Sequence, residues 1–130
     1  MEEQARHHFE QILTLAYAQL EHVVIKSQDI SEQRALLQFE GMWQSHRIVV
    51  TEILRRTGRA YAYYVLRDNR VVWAWDNAPD REALRLEFGK EFAKHIHQEI
   101  PHAHARDGSI RLTPSKTFSE FIAALVEAGE

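Results

Sequence analysis

The spacing of hydrophobic positions changes period along the chain. From residue 2 to 20, Phe9, Ile12, Leu13, Ala16 and Leu20 recur at helical spacing, the repeat of one apolar helix face. Glu2 and Glu3 stand in the first turn, where negative charge suits the positive end of the helix dipole. His7 and His8 fall off the apolar stripe and are expected to face solvent. Across 22–76 the period drops to two. His22–Lys26, Ala35–Phe39, Ile48–Leu54, Tyr61–Leu66 and Val71–Trp75 are predicted strands, rich in β-branched and aromatic residues. Short connections separate the last three: Arg56-Thr57-Gly58-Arg59, then Arg67-Asp68-Asn69-Arg70. Asp-Asn at a two-residue gap supplies the positive φ angles of a tight hairpin. The region therefore reads as an antiparallel meander.

Alternation sorts the faces. Tyr61, Tyr63 and Val65 point one way, and Ala62, Tyr64 and Leu66 the other. Val71, Trp73 and Trp75 share a face opposite Val72, Ala74 and Asp76. Aromatics on both sides predict a sheet covered on one face and partly exposed on the other. Over 80–98, Leu84, Phe88, Phe92 and Ile96 repeat every four residues, which predicts a helix capped by Asn77 or Asp80. Gly89 interrupts, and Leu84 to Phe88 also alternates like a strand, so the helix is placed at least from Gly89 to Gln98. Asp107-Gly108 is a turn. Residues 109–128 hold a short strand, Ile110-Arg111-Leu112, and a last helix opened by the capping box Thr117-Phe118-Ser119-Glu120. That helix is expected to bury Phe118, Phe121, Ile122 and Leu125. The expected fold is α+β: an antiparallel β-sheet meander of four to six strands flanked by an N-terminal helix and a C-terminal helix.

Length and composition narrow the function classes. The 130 residues make one domain, 1–130, with a single ordinary core. Without cysteine there are no disulfides, thiolate metal sites or catalytic thiols. No apolar run approaches the roughly 18 residues of a membrane helix, and Met1 to Gln4 is acidic without a signal-peptide core. These features predict a cytoplasmic protein with no membrane partner. The net charge of −3 opposes nonspecific nucleic-acid binding by the whole surface. The charge is uneven, however. Residues 44–75 carry Arg47, Arg55, Arg56, Arg59, Arg67 and Arg70 against only Glu52 and Asp68. Such arginines either hold phosphates or protect exposed strand edges.

The chemistry-bearing stretch is histidine-rich. His95, His97, His102 and His104 lie within ten residues. On a strand, residues i and i+2 share a face; on a helix they diverge. His102 and His104, just after Pro101, are therefore the better pair, and Asp76 could complete a two-histidine, one-carboxylate metal site. The same residues also permit metal-free RNA cleavage. A histidine or carboxylate would deprotonate the ribose 2′-hydroxyl, another histidine would protonate the leaving oxygen, and an arginine would stabilise the added charge. Surface or hydrogen-bonding histidines are the ordinary alternative to both, and Asp76-Asn77 reads equally well as a cap or Asx-turn. No glycine-rich phosphate loop, serine elbow or zinc-finger spacing is present.

The run from Tyr61-Ala62-Tyr63-Tyr64 through Arg70 to Trp75-Asp76-Asn77-Ala78-Pro79, with Ile100-Pro101-His102-Ala103-His104 and Leu112-Thr113-Pro114-Ser115, resembles the TumE family. These are toxins of type II toxin–antitoxin pairs, placed near the RelE-like toxins. The family pattern is a Tyr-rich strand, a hairpin, Trp/Tyr-Asp-Asn-Ala-Pro, a Pro-His-His-x-His segment, Pro-Ser and a short final helix. Here Asp80-Arg81 stands where histidines often follow Asn-Ala-Pro, and Ala103 takes the place of the middle histidine. The segment Arg81 to Glu99 is longer and brings His95 and His97 as stand-ins.

The resemblance implies a toxin acting on RNA as a metal-independent endoribonuclease, without a cofactor. His102 and His104 would be acid and base beside Asp76. Asn77, Arg59, Arg67, Tyr63, His95 and His97 would orient or bind substrate. The implied partner is an antitoxin protein of the helix-turn-helix kind, and a homodimer is admitted. The alternatives are a non-enzymatic protein-binding or regulatory module, and a His/Asp metal-binding protein.

Overall fold

The computed structural model describes residues 2–128. Helix α1 (Glu2–Gln19) leads into strands β1 (Glu21–Ile30), β2 (Arg34–Trp43), β3 (His46–Arg55), β4 (Gly58–Arg67) and β5 (Arg70–Asp76). Helix α2 (Arg81–Phe88) and a 3₁₀ segment (Gly89–His95) follow, then β6 (His102–His104), β7 (Ile110–Leu112) and α3 (Phe118–Ala128). The strands form one seven-stranded sheet in sequence order, every neighbouring pair antiparallel.

The sheet is wider than the sequence predicts, because the His102–His104 segment pairs with β5 as a strand of its own. The strands are also longer, since the turns at 44–45, 56–57 and 68–69 consume only two residues each. Asp68 and Asn69 both take positive φ, 52° and 63°, the left-handed pair that matches the sheet's twist. Gln44-Ser45 makes a comparable turn between Trp43 and His46, with no glycine to announce it.

Residues 35, 37, 39, 48, 50, 61, 63 and 65 point to one face and are buried there. Helices α1 and α3 cover that face through Phe9, Ile12, Phe118, Phe121 and Leu125. Phe121 sits at the centre, with Tyr63, Trp73, Trp75 and Phe118 around it. The capping box forms as expected: Thr117 Oγ1 accepts from Glu120 N, and Glu120 Oε1 accepts from Thr117 N. On the opposite face α2 buries Ala83 and Leu84 against Ile100, Ile110 and Leu112. Leu36, Val49, Ile53, Tyr64 and Leu66 of that face stay half-buried.

The helix expected over 80–98 is divided at Gly89. Gly89–His95 is 3₁₀ rather than α, and Arg81–Phe88 is α-helical. Asp80 caps its start, accepting from Ala83 N, and Gly89 ends it at φ 57°, a conformation glycine adopts without Cβ strain. From Gly89 the chain tightens to 3₁₀ and the four-residue apolar repeat no longer marks an α-helical face.

Phe121→Ala is expected to cost about 3–5 kcal/mol through the cavity it leaves, whereas Thr117→Ala should cost about 1 kcal/mol as a lost cap. Urea unfolding of the two variants checks both the order and the size.

Candidate functional site

Register builds the site on the sheet face opposite α1 and α3. In β5, Asp76 lies directly across from Ala62 on one side and His102 on the other. One pair along, Ala74 lies between Tyr64 and His104. Ala74 is fully buried and has only a methyl to offer. The longer side chains of Tyr64 and His104 therefore lean diagonally past it, a reach that cross-strand spacing allows.

The result is a cluster around the Asp76 carboxylate. His104 Nε2 is 2.8 Å from Oδ2, and His102 Nε2 is 3.3 Å from Oδ1. The two Nε2 atoms are 3.1 Å apart. Tyr64 donates its hydroxyl to Oδ2 at 3.1 Å, and Ala78 N donates to Oδ1 at 2.9 Å. Tyr64 is pushed up to about 12, by burial first and then by the Asp76 charge it faces. It therefore remains a hydrogen-bond donor at neutral pH. His102 and Asp76 are almost wholly buried, and His104, with 23% of its side chain exposed, opens the cluster to solvent.

Asn77 fixes the frame but stays outside the cluster. Its side-chain carbonyl accepts from Tyr61 N, and its Nδ2 donates to Arg59 O, at 2.9 and 2.8 Å. Its own main-chain carbonyl accepts from Ile100 N. Ile100 O in turn faces His102 Nδ1 at 2.6 Å. A carbonyl can only accept, so Nδ1 carries a proton and Nε2 is the nitrogen turned toward Asp76.

The other sequence candidates lie elsewhere. Tyr63 is fully buried on the α1/α3 face and donates to Glu52, with its pKa raised by burial and by that carboxylate. Arg59 is on the same face, 3.6 Å from Glu52, over the Tyr61 ring and donating to Lys116 O. Arg67 is at the β4–β5 hairpin tip, where it shares a polar groove with Arg70 and Arg106, roughly 20 Å along β5 from Asp76 at the usual strand rise. His95 stacks on Phe88 with ring centroids 3.7 Å apart and faces Gln98. His97 is exposed, outside the group formed by Asp76, His102 and His104.

Two residues escaped the sequence reading. Tyr64, not Tyr63, reaches Asp76; strand parity separated them, but the choice of face needed the bulge where β5 gains a residue between Val71 and Trp73. His8 is not a solvent-facing histidine. It is half-buried and pairs with Glu52 at 3.0 Å. Glu52 shares the inward parity of Ile48 and Val50, a charged residue in a core position that signals a buried partner.

A family model described as Toxin TumE matches residues 10–128, nearly the whole chain. Comparison with curated proteins and with solved structures finds no match. No helix among the described residues is long and apolar enough to cross a membrane.

Arg59→Ala leaves Glu52 buried with its guanidinium removed, so a loss of about 3–5 kcal/mol is expected in chemical unfolding; a variant as stable as the wild type would return Arg59 to the list of substrate-binding groups. Tyr64 gives a pH signature. Its ordinary value of 10.0 rises to about 12 on folding, so the folded state holds the proton longer. The stability this contributes is complete below pH 10 and is lost as pH climbs to about 12. Tyr64→Phe should flatten that decline in unfolding free energy, leaving the part due to Tyr63.

Proposed function

Because the chain belongs to the TumE toxin family, we propose that it is the toxin of a toxin–antitoxin pair and that it cleaves RNA at the Asp76–His102–His104 cluster. The observation that carries this reading is the convergence of three proton-accepting side chains on the only part of the cluster open to solvent, beside an uncovered half of the sheet. In the reaction, the cluster removes the proton of a ribose 2′-hydroxyl. The oxygen attacks the adjacent phosphorus, the bond to the 5′-oxygen breaks, and that oxygen leaves with a proton. The products are a 2′,3′-cyclic phosphate and a 5′-hydroxyl end.

Attacking and leaving oxygens stand on opposite sides of phosphorus in an in-line displacement. Each proton carrier must come within about 3 Å of its own oxygen. His102 and His104, with Nε2 atoms 3.1 Å apart beside Asp76, are assigned as the acid and base. Asn77 acts as a positioning residue through Ile100. Arg67, with Arg70 and Arg106 in the groove at the hairpin end, holds the RNA backbone farther along the strand.

A toxin family implies an antitoxin, and the half-buried face of Leu36, Val49, Ile53 and Leu66 suits a partner of apolar contact surface. The resemblance points to a helix-turn-helix protein for that partner, and both would meet in the cytoplasm.

Induced expression of the wild type is expected to arrest growth, and His104→Ala to relieve the arrest at equal protein level. Purified wild type should leave cyclic-phosphate ends on RNA, with Asp76→Asn at least about 100-fold slower, the scale of a lost proton carrier. Intact RNA after incubation with a folded, growth-arresting protein would remove RNA as the target.

A further inference from the structure

We propose that Asp76, His102 and His104 bind one divalent transition-metal cation of the zinc class. The inference deepens the reading above, since it concerns the same cluster, and it departs from the metal-free mechanism that the resemblance implies. It begins with the protons. His102 Nδ1 spends its proton on Ile100 O, so the Nε2 of a neutral ring brings a lone pair. The Asp76 oxygens bring only lone pairs. His104 Nε2 has both neighbours in reach, at 2.8 Å and 3.1 Å. One proton on it is shared at most between the two, and His102 Nε2 and Asp76 Oδ1 still turn lone pairs toward each other at 3.3 Å. A cation set among the three groups satisfies all of these lone pairs at once.

Geometry and surroundings favour the metal ion. Donors at about 2.0–2.1 Å from a four-coordinate zinc lie roughly 3.3 Å from one another. The two Nε2 atoms are 3.1 Å apart, each is 2.8–3.3 Å from one oxygen of the Asp76 carboxylate, Oδ2 for His104 and Oδ1 for His102, and one donor atom from each residue lies within 4.8 Å of the others. Imidazole nitrogen with carboxylate oxygen is a donor set for late first-row divalent ions. The supporting contacts match as well. A metal-binding histidine commonly gives its other N–H to a backbone carbonyl, and a ligating carboxylate is itself hydrogen-bonded. His102 has Ile100 O, and Asp76 has Tyr64 and Ala78 N. Three protein donors also leave coordination room on the His104 side, where solvent reaches. A water or a phosphate oxygen could bind there, which is the arrangement of catalytic rather than structural sites.

The experiment uses the full chain, stripped with a chelator and then titrated with Zn²⁺, without RNA. One ion per chain should remain after gel filtration, and the melting temperature should rise. Co²⁺ should give the visible absorption of a bound, low-coordinate ion. His104→Gln, at a partly exposed position and therefore expected to fold, should bind at least about 100-fold more weakly, and Tyr64→Phe about tenfold more weakly through the lost carboxylate support. His7→Gln, on the exposed side of α1, should bind as the wild type does. Absence of a stoichiometric ion, or equal retention by folded His104→Gln, overturns the proposal and leaves a proton in the cluster. The two readings fail separately. Zinc bound with no RNA cleaved sinks the ribonuclease, and RNA cleaved by a protein that takes up no ion sinks the metal site.

Discussion

The Asn77 clamp is the constraint on which the rest of the site depends. β5 ends at Asp76, and the chain then leaves the sheet for α2 before returning as β6. Something must hold the departing chain in register with both neighbours. Asn77 does so with four hydrogen bonds: its side-chain amide grips the main chain of Arg59 and Tyr61, its own N–H donates to Tyr61 O, and its carbonyl catches Ile100 N on the way back. An amide side chain offers donor and acceptor at once, which a carboxylate cannot. Only Pro101 separates Ile100 from His102, so the returning strand enters with His102 opposite Asp76. A slip of one residue would turn both histidines to the other face.

Among the described residues two carboxylates are buried, one on each side of the sheet, and their surroundings differ in kind. Glu52 is fully enclosed and has Arg59 as a fixed counter-charge, with Tyr63 and His8 completing its contacts. A carboxylate so satisfied beneath two helices holds structure together and has no route to a ligand. Among the described residues, Asp76 is within ion-pair distance of no lysine or arginine, only of the two imidazoles. Desolvating a carboxylate without a permanent positive partner is expensive. The energy of the fold is therefore set against the cluster as it stands, and binding of a cation or proton recovers it.

Strand parity made half of this arrangement legible in the sequence. Period-two alternation placed Tyr61, Tyr63 and Val65 on one face, and the His-x-His spacing identified His102 and His104 as a pair that a strand would present together. The capping box located α3 and its buried residues. What parity cannot supply is which strands adjoin. The pairing of β6 with β5 depends on hydrogen bonds made across a 25-residue excursion between Asp76 and His102, and no local pattern encodes that. The arginines misled for the same reason. Arg59 and Arg67 have the same parity on one strand, yet Arg59 is drawn inward by Glu52 while Arg67 remains at an exposed tip. α2 ends earlier than expected because a four-residue apolar repeat continues across Gly89 in the sequence, while the backbone at that glycine turns left-handed and ends the helix.

The departures from the family pattern also resolve on geometric grounds. Ala103 replaces the middle histidine, but position 103 points away from Asp76. It lies between Trp75 and Arg111 in the ladder, on the face turned toward α3, so a histidine there would reach neither the carboxylate nor its neighbours. The stand-ins His95 and His97 are not needed for the cluster, which closes with two imidazoles and one carboxylate. Asp80, in place of a histidine after Asn-Ala-Pro, has taken up a different task as the cap of α2. By burying Ala83 and Leu84 against Ile100, Ile110 and Leu112, that helix packs on β7, the strand beside His102. The longer insertion therefore packs beside the cluster rather than competing with it, and the burial of Asp76 and His102 is what would make lone pairs at 3 Å costly enough to favour the proposed cation.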